Sequence, residues 1–237
     1  MALATWWRGD ALPPLSLLAG FRVEASRDEA LIAHINRLAL EEVRQRMDAA
    51  HQPYIAFVEQ TPVGYGWVAT EEASIGELNL RFALPATERY LWDFATLPEW
   101  QGYGIYPRLL QHIVRQLAPA VERVWIIYAP ENSPSGAGMS KAGLLPVGQL
   151  SFGSDGAVGL APFEAPERAQ AGAALLGIPL IENVLAPCWH CGGTTHSRGT
   201  AADAASCWPP LAPAAPRCTC AIELKPAKPY AASGHGA

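Results

Sequence analysis

The stretch Tyr90–Leu117, YLWDFATLPEWQGYGIYPRLLQHIVRQL, decides the fold of this chain. Its first part, Tyr90–Leu97, is mostly aromatic and aliphatic, which predicts a buried strand. Pro98 ends that strand because proline has no N–H to donate to a ladder. Gly102 and Gly104 come next, and apolar side chains then recur at four-residue spacing: Ile105, Leu109, Ile113 and Leu117. The stretch therefore predicts a strand, a glycine turn and a helix.

A glycine turn that begins a helix exposes backbone N–H groups at the positive end of the helix dipole. Phosphate groups bind at such positions. Gly102 and Gly104 lack a Cβ, so a diphosphate could approach the main chain closely. Pro107 lies in the first helical turn, where a missing N–H is harmless. Glycine turns before helices are common, so a purely structural turn is an equal alternative from this piece alone.

The run LPEWQGYGIY resembles the acyl-CoA motif of the GNAT superfamily of N-acetyltransferases. Gln101, Gly102 and Gly104 match that motif, whereas Tyr106 stands where the family usually has a small residue. A second match follows, where the predicted strand Val121–Pro130 leads into ENSPSGAGMSKAGL. Its matching residues are Asn132, Ser135, Lys141, Gly143 and Leu144. Together the two motifs indicate a GNAT-like region from roughly Phe21 to Leu160.

The resemblance implies an α/β fold with a mixed central sheet and helices on both faces. In this family two central strands splay apart, and the pantetheine arm of acetyl-CoA pairs with the exposed main chain. By resemblance, that main chain is here Phe94, Ala95 and Thr96. The remaining residues that the resemblance assigns to the cofactor are Gln101, Gly102, Tyr103, Gly104, Ile105, Tyr106, Pro107, Asn132 and Ser135.

The catalytic acid and base are less clear from the sequence. Many relatives carry a tyrosine seven residues after the motif asparagine, where this chain has Met139, and some carry a carboxylate where it has Trp92. Asp93 is the candidate to hold or deprotonate an amine, and the alternative is a carboxylate bonded to backbone. Tyr128 is the candidate proton donor, and the alternative is core packing. Ser140 is a third, weaker candidate.

The other predicted elements complete one sheet. Before the glycine turn they are a strand at Phe21–Ala25 and one or two helices from the capping box Ser26/Glu29 to about Ala50. A hairpin of Tyr54–Gln60 and Val63–Thr70, turning at Thr61–Pro62, and an added strand within Glu77–Ala83 follow. After the glycine turn they are a short helix within Asn132–Ala142 and strands at Leu145–Phe152 and Ala157–Leu160. Gly64 and Gly66 predict a bulge or close backbone approach.

Length and composition bound the remaining possibilities. Half of the 237 residues are hydrophobic, the net charge is −5 and no basic run occurs, which argues against a nucleic-acid partner. No apolar stretch is long enough to span a bilayer, and Asp10 with Pro13–Pro14 argues against a secretory signal peptide. A cytoplasmic location is expected. The predicted division is 1–20 extension, 21–162 acyltransferase domain, 163–187 linker or helix, 188–224 zinc element and 225–237 disordered tail.

All five cysteines follow Pro187, which in a reducing compartment indicates metal before disulfide. The run CWHCGG resembles a zinc knuckle. The predicted ligands of a structural Zn²⁺ are Cys188, Cys191, Cys218 and Cys220, with Cys207, His190 or His196 as substitutes. The alternative is a set of thiols without metal in a loose tail.

The sequence therefore predicts an acetyl-CoA-dependent N-acetyltransferase that acts on a small-molecule or protein amine. The alternative is a non-catalytic binding module that keeps the GNAT scaffold and docks a partner through the zinc element. Met139 and Trp92 favour this alternative. The retained turn Gln101–Gly104 and Asn132 favour the enzyme, because a scaffold without acyl carrier has no physical need for an open turn.

Overall fold

The computed structural model describes residues 1–129, 132–152 and 157–181. The strands in these ranges are β1 Ala2–Trp7, β2 Phe21–Ala25, β3 His51–Val58, β4 Thr61–Ala69, β5 Glu72–Ile75, β6 Leu80–Ala83, β7 Glu88–Thr96, β8 Arg123–Tyr128, β9 Leu145–Phe152 and β10 Val158–Pro162. The α-helices are α1 Glu29–Asn36, α2 Leu40–Asp48, α3 Ile105–Leu117, α4 Ser133–Ala142 and α5 Pro166–Leu176. Single 3₁₀ turns occupy Gly76–Leu78 and Pro98–Trp100.

Eight of these strands form one twisted sheet in the order β10-β9-β1-β8-β7-β4-β3-β2. The pair β7–β8 is parallel and its connection runs through α3, whereas the other neighbours are antiparallel. The mixed α/β sheet predicted from the sequence is thus present. Strands β5 and β6 form a separate two-stranded sheet.

The first strand is the main departure from the sequence-based prediction. The sequence left segment 1–20 as an N-terminal extension without an assigned place, yet Ala2–Trp7 pairs with β8 on one side and β9 on the other. Its side chains are almost wholly buried, and the Thr5 hydroxyl donates to the Val124 carbonyl at 2.9 Å. A short apolar run flanked by proline and glycine carries no local signal for such distant partners, so only the tertiary structure reveals its place.

Helices cover both faces of the sheet, as predicted. On one face α1 and α2 pack over a core that includes Ile55, Phe57 and Trp67. On the other face α3 and α4 pack over a second cluster, which includes Leu109, Ile113 and residues of the central strands. The apolar four-residue spacing of α3 is buried as expected, because Ile105, Leu109 and Ile113 are at most 1% exposed.

Two local predictions were shifted by tertiary pairing. The β3–β4 hairpin turns at Glu59–Gln60, with Glu59 at φ 55°, and Thr61 and Pro62 already belong to β4. Pro62 is tolerated because the ladder from β4 to β7 begins only at Gly64. The strand expected within Glu77–Ala83 is shorter, Leu80–Ala83, and it pairs with β5 outside the main sheet.

The five cysteines, the proposed zinc ligands and the predicted tail fall in 182–237 and lie outside the described residues. In the part of the chain that the structure describes, no helix combines the length and apolarity needed to cross a membrane.

The central position of β1 predicts the effect of Leu3→Ala. Leu3 is wholly buried, so its truncation should lower the free energy of unfolding by about 2–5 kcal/mol. Leu17→Ala is the matched control: Leu17 is wholly exposed, and its truncation should change that free energy by less than about 0.5 kcal/mol. Urea unfolding curves measure both, and equal effects would contradict the burial of β1.

A second prediction concerns His51, whose ring packs edge-on against Trp92 with centroids 5.1 Å apart. Burial holds the pKa of His51 below its usual 6.5. The unfolded chain therefore binds protons at a higher pH than the folded one, and stability falls as the pH drops below about 6.5 towards the folded pKa. Unfolding free energies of wild type and His51→Gln across pH 5–8 should show a weaker acid loss in the variant. Burial also lowers the pKa of His112. His112→Gln should therefore remove a separate part of the stability loss at acidic pH. Identical curves for wild type and His51→Gln would disprove the prediction.

Candidate functional site

The parallel strands β7 and β8 separate partway along their length. Their ladder runs from Glu88↔Arg123 to Leu91↔Ile126 and, in the described residues, ends there. β7 nevertheless continues to Thr96 on its ladder with β4, and β8 continues to Tyr128 on its ladder with β1. We call the space between these two continuations the β7–β8 gap. The resemblance to the GNAT family implies such a splayed strand pair, with Phe94–Thr96 as the main chain beside the pantetheine arm.

The side chain of Glu88 ties the two strands together at the closed end of the gap. Its carboxylate is buried and accepts hydrogen bonds from Arg123 at 3.0 Å and from the Trp125 indole N–H at 2.5 Å. A buried carboxylate needs such partners, because an unpaired charge is costly in the interior. The Glu88 side chain therefore holds β7 and β8 together where they pair, and the two strands diverge after Leu91 and Ile126.

A β-bulge in β7 lies at the start of the gap. The register with β4 shifts between Tyr65 and Trp67, and Asp93 takes a left-handed backbone conformation with φ 50°. A Cβ on Gly66, which lies opposite the bulge, would overlap the ring of Phe94. At Gly64, the other glycine predicted to mark a bulge or close backbone approach, a Cβ would lie 2.9 Å from the Ala95 carbonyl oxygen, so the backbones approach closely there. A non-glycine residue in this conformation stores strain of about 1–3 kcal/mol, and bulges re-aim side chains near functional sites.

The bulge assigns neighbouring side chains of β7 to different faces. Trp92 packs with Trp67 beneath α1 and α2, with ring centroids 6.1 Å apart. Asp93 also turns to that face and accepts a hydrogen bond from Arg46 of α2 at 2.5 Å. Phe94 instead packs into the cluster under α3 and α4. The gap thus has a different chemical lining on each face.

Arg46 dominates the face of α1 and α2. Its guanidinium lies 4.6 Å from the ring centroid of Trp92 and 5.2 Å from that of Trp67, and it also bonds Glu42 at 2.8 Å. Only 15% of its side chain is exposed. Asp93, the sequence candidate for an amine base, is therefore already paired with a cation. No sequence signal links Arg46 to Asp93, because the contact depends on the bulge.

Tyrosine hydroxyls line the face of α3 and α4. The Tyr106 ring packs edge-on against Phe94, with centroids 5.9 Å apart, and its oxygen accepts a hydrogen bond from Ser135 Oγ at 3.4 Å. A Cβ on Gly138 would lie 2.5 Å from the Tyr106 ring, so α4 approaches that ring closely only because of this glycine. Tyr106, which stands where the family motif usually has a small residue, thus points towards α4.

Tyr128 ends β8 on the opposite side of the gap. A Cβ on Gly136 of α4 would lie 3.1 Å from its ring. Burial raises the pKa of Tyr128. Burial also raises the pKa of Tyr106 to about 12; the contact with Ser135 lowers that pKa and the neighbouring Tyr128 raises it. Both phenols therefore carry their protons at neutral pH.

The glycine turn Gln101–Gly104 leads directly from the open end of β7 into α3. Gly102 and Gly104 have φ values of 86° and 70°, which glycine adopts without strain, and Gly104 is the N-cap of α3. The Gln101 amide donates to the Thr96 carbonyl at 3.4 Å and links the turn to the strand end. Ile105, Tyr106 and Pro107 form the first turn of α3, so the predicted set is contiguous in space.

Arg108 was not singled out from the sequence, yet it lies on this turn. Its guanidinium donates to the carbonyls of Gly104 at 2.7 Å and Tyr103 at 3.3 Å. It also bonds the carbonyl and hydroxyl of Ser16 at 2.6 and 2.8 Å. The only sequence signal is a cation four residues after Gly104, which is one helical turn away.

Asn132 and Ser135 lie at the start of α4. The Asn132 side-chain oxygen accepts from the Ser135 backbone N–H at 3.2 Å, which makes Asn132 the N-cap of the helix. The sequence-based role of Asn132, contact with a pantetheine arm, therefore has a structural alternative in this cap. Among the described residues, no group of three or more histidine, cysteine, aspartate or glutamate side chains is arranged to hold a metal ion.

A comparison of the sequence with protein families supports a family assignment. The model of the acetyltransferase (GNAT) family matches residues 19–138, slightly more than half of the chain. Among curated proteins, none matches the sequence significantly.

Solved structures of acetyltransferases share a distant likeness. A GCN5-related N-acetyltransferase from Kribbella flavida is 14% identical over 61% of this chain and 53% of its own, with a TM-score of 0.42. The ribosomal-protein-S18-alanine N-acetyltransferase from Escherichia coli is 13% identical over 58% and 88%, with a TM-score of 0.44. The yncA protein from Salmonella typhimurium, a putative acetyltransferase solved with acetyl-CoA, is 13% identical over 56% and 83%, with a TM-score of 0.42.

The present chain thus spans about half the length of the Kribbella flavida protein. The family assignment rests on the family model, which covers the splayed strands, the glycine turn and most of α4. The chain belongs to the acetyltransferase (GNAT) family.

Proposed function

We propose that this chain is an N-acetyltransferase, of EC 2.3.1 type, that moves the acetyl group of acetyl-CoA to an amine. The observation that carries the proposal is the β7–β8 gap, where the main chain of β7 beyond Leu91 leaves its ladder with β8. An extended pantetheine arm has amide groups that can pair with such a strand edge. The gap leads directly into the glycine turn, so one molecule could use both features.

The glycine turn fits the diphosphate of such a carrier. A Cβ placed on Gly102 would meet no atom within 4 Å, so the main chain there is open. The Tyr106 ring lies against Phe94 and α4 and does not cover the turn. The N–H groups of Gly102–Tyr106 and the nearby Arg108 guanidinium supply positive charge, whereas Pro107 has no N–H to give.

The proposed roles follow from these positions. Phe94, Ala95 and Thr96 offer main-chain partners to the pantetheine arm, with Asn132 and Ser135 close to the same face. The thioester supplies an already activated acetyl group. The work of the protein is to hold an acceptor amine against it, and proximity of this kind can contribute about 7–11 kcal/mol to lowering the barrier.

The acceptor is a small-molecule or protein amine that enters from the face of α1 and α2, where Asp93 lies. Because Arg46 already neutralises Asp93, we propose that Asp93 orients the acceptor through the ion pair instead of acting as a free base. The zinc element formed by Cys188, Cys191, Cys218 and Cys220, and the cytoplasmic location, remain predictions from the sequence.

A second candidate function is a binding module without catalysis. Three observations favour it: Met139 is buried, Trp92 packs on Trp67, and Asp93 is paired with Arg46. None of these positions offers a free acid or base. Both candidates bind the acyl carrier if the turn is functional, so binding and turnover must be measured separately.

Gly104→Glu tests the binding of the carrier. The new side chain places negative charge on the turn and displaces Arg108, so acetyl-CoA affinity in calorimetry should fall more than about tenfold, a loss above 1.4 kcal/mol. Gly177→Glu is the matched control, because Gly177 has φ 66°, caps α5 and has open space around it. That variant should bind as tightly as wild type. Equal affinities for all three proteins would refute a diphosphate site at the turn.

Turnover separates the two candidate functions. Thiol released from acetyl-CoA in the presence of a panel of amines should exceed the release without protein, and Gly104→Glu should abolish the excess. Tight binding without any amine-dependent thiol release would support the binding module and reject the enzyme.

A further inference from the structure

The guanidinium of Arg108 is fully occupied by hydrogen bonds at the glycine turn. Its Nη1 donates to the carbonyl oxygens of Gly104 at 2.7 Å and Tyr103 at 3.3 Å. Its Nη2 donates to the carbonyl oxygen and the hydroxyl of Ser16 at 2.6 and 2.8 Å, and its Nε donates to the same Ser16 carbonyl at 3.2 Å. These contacts match the five N–H donors of a guanidinium. A phosphate could therefore bond Arg108 only by breaking one of them.

The bonds from Arg108 fix the direction of two peptide planes. In a planar trans peptide the C=O and N–H bonds point in opposite directions. The Tyr103 carbonyl shares its peptide with the Gly104 N–H, and the Gly104 carbonyl shares its peptide with the Ile105 N–H. Because Arg108 holds both carbonyls on its own side, the two N–H groups point away from it. Both belong to the set of N–H groups proposed above to bind the diphosphate.

The Tyr103 carbonyl depends on Arg108 more than its neighbour does. Gly104 is the N-cap of α3, and the carbonyl of an N-cap accepts the first hydrogen bond of its helix. The residue four positions after Tyr103 is Pro107, which has no N–H to donate. The guanidinium also has room at the turn, because a Cβ on Gly104 would overlap it, whereas a Cβ on Gly102 would meet no atom within 4 Å.

Ser16, the other partner of Arg108, belongs to the segment that connects β1 to β2. Gln111 of α3 donates to the Pro13 carbonyl of this segment at 2.7 Å. Leu12 and Leu18 pack against the core cluster under α3 and α4. The segment thus holds Ser16 from both sides. The GNAT family model begins at residue 19, so Ser16 lies outside the part of the chain that matches the family.

We infer that Arg108 is a positioning residue: anchored by Ser16, it holds the N–H groups of Gly104 and Ile105 in the direction that binds the diphosphate. The inference rests on the proposed function and goes beyond it, because part of the affinity for the acyl carrier then depends on the segment before β2. The charge of Arg108 attracts the diphosphate across the turn, while its hydrogen bonds set the direction of the N–H groups.

Calorimetry with acetyl-CoA tests the role of Arg108. Arg108→Ala should weaken binding about 10- to 100-fold, the range for hydrogen bonds that involve a charged group. Arg89→Ala is the matched control, because one nitrogen of Arg89 likewise donates to two carbonyls, those of Ala86 at 2.9 Å and Glu88 at 2.6 Å. That variant should bind acetyl-CoA within about twofold of wild type. Equal affinities of wild type and Arg108→Ala would overturn the inference.

Two further variants separate orientation from charge. Arg108→Lys keeps the charge but cannot bond the turn and Ser16 at once, so it should lose most of the affinity that Arg108→Ala loses. Ser16→Ala removes one anchor of the guanidinium and should weaken binding about two- to tenfold. If Arg108 instead bonded the phosphate directly, the N–H freed by Ser16→Ala would leave the affinity unchanged or raise it. Full affinity in either variant would overturn the positioning role, and Ser16→Ala decides it alone if changes at Arg108 prevent folding.

Acetyl-pantetheine gives a readout that a merely structural role would not move, because it keeps the thioester and lacks the diphosphate. With the best acceptor of the amine panel, Arg108→Ala should raise KM for acetyl-CoA and leave kcat within about twofold of wild type. Its kcat/KM for acetyl-pantetheine should also stay within about twofold of wild type. An equal loss with both donors would contradict the inference, because the damage would then extend beyond the diphosphate.

Failure of this inference is distinguishable from failure of the proposed function. A wild type that binds acetyl-CoA no more tightly than Arg108→Ala and Ser16→Ala do overturns the role of Arg108 and leaves the proposed transferase intact. A wild type that does not bind acetyl-CoA at all rejects the proposed function, and the role of Arg108 with it.

Discussion

The site of this protein depends on where a parallel strand ladder ends. Strands β7 and β8 are fastened by the buried carboxylate of Glu88 at one end and separate after Leu91 and Ile126. Each strand keeps its other neighbour, β4 or β1, so the separation does not unravel the sheet. The facing main-chain edges of the two strands thereby lose their ladder partners inside a well-packed structure. Backbone N–H and C=O groups in such a place need hydrogen bonds from water, side chains or a ligand. The glycine turn follows from the same geometry, because β7 must leave the sheet at this point to enter α3.

The two faces of the gap differ in electrostatic character. The face of α1 and α2 carries an ion pair, Arg46 with Asp93, held over two tryptophan rings. The face of α3 and α4 carries neutral hydroxyl groups whose pKa values burial has raised. Because one β-bulge turns Asp93 and Phe94 in opposite directions, it creates both environments at once. The gap thus has a charged side and a neutral side, which are separated by one strand.

Local features of the sequence predicted most of the fold. The glycine turn, the helix after it and strand β9 were predicted because their signals, apolar spacing and turn residues, lie within each segment. The place of β1 was missed, since its partners lie more than a hundred residues away. In the candidate site, the family motif picked out the residues of the turn, whereas no motif picked out Arg46 or Arg108. Their contacts arise from the bulge and from the segment around Ser16, neither of which has a sequence pattern of its own.

The central place of β1 also constrains how the protein is made. During synthesis this strand leaves the ribosome roughly 120 residues before β8, and β9 comes later still. At about 5–20 residues per second, its apolar side chains wait on the order of 6–24 s before either neighbour exists. A strand that is synthesised well before both of its neighbours is therefore among the last to pair, and slower translation would prolong the exposure of its apolar side chains.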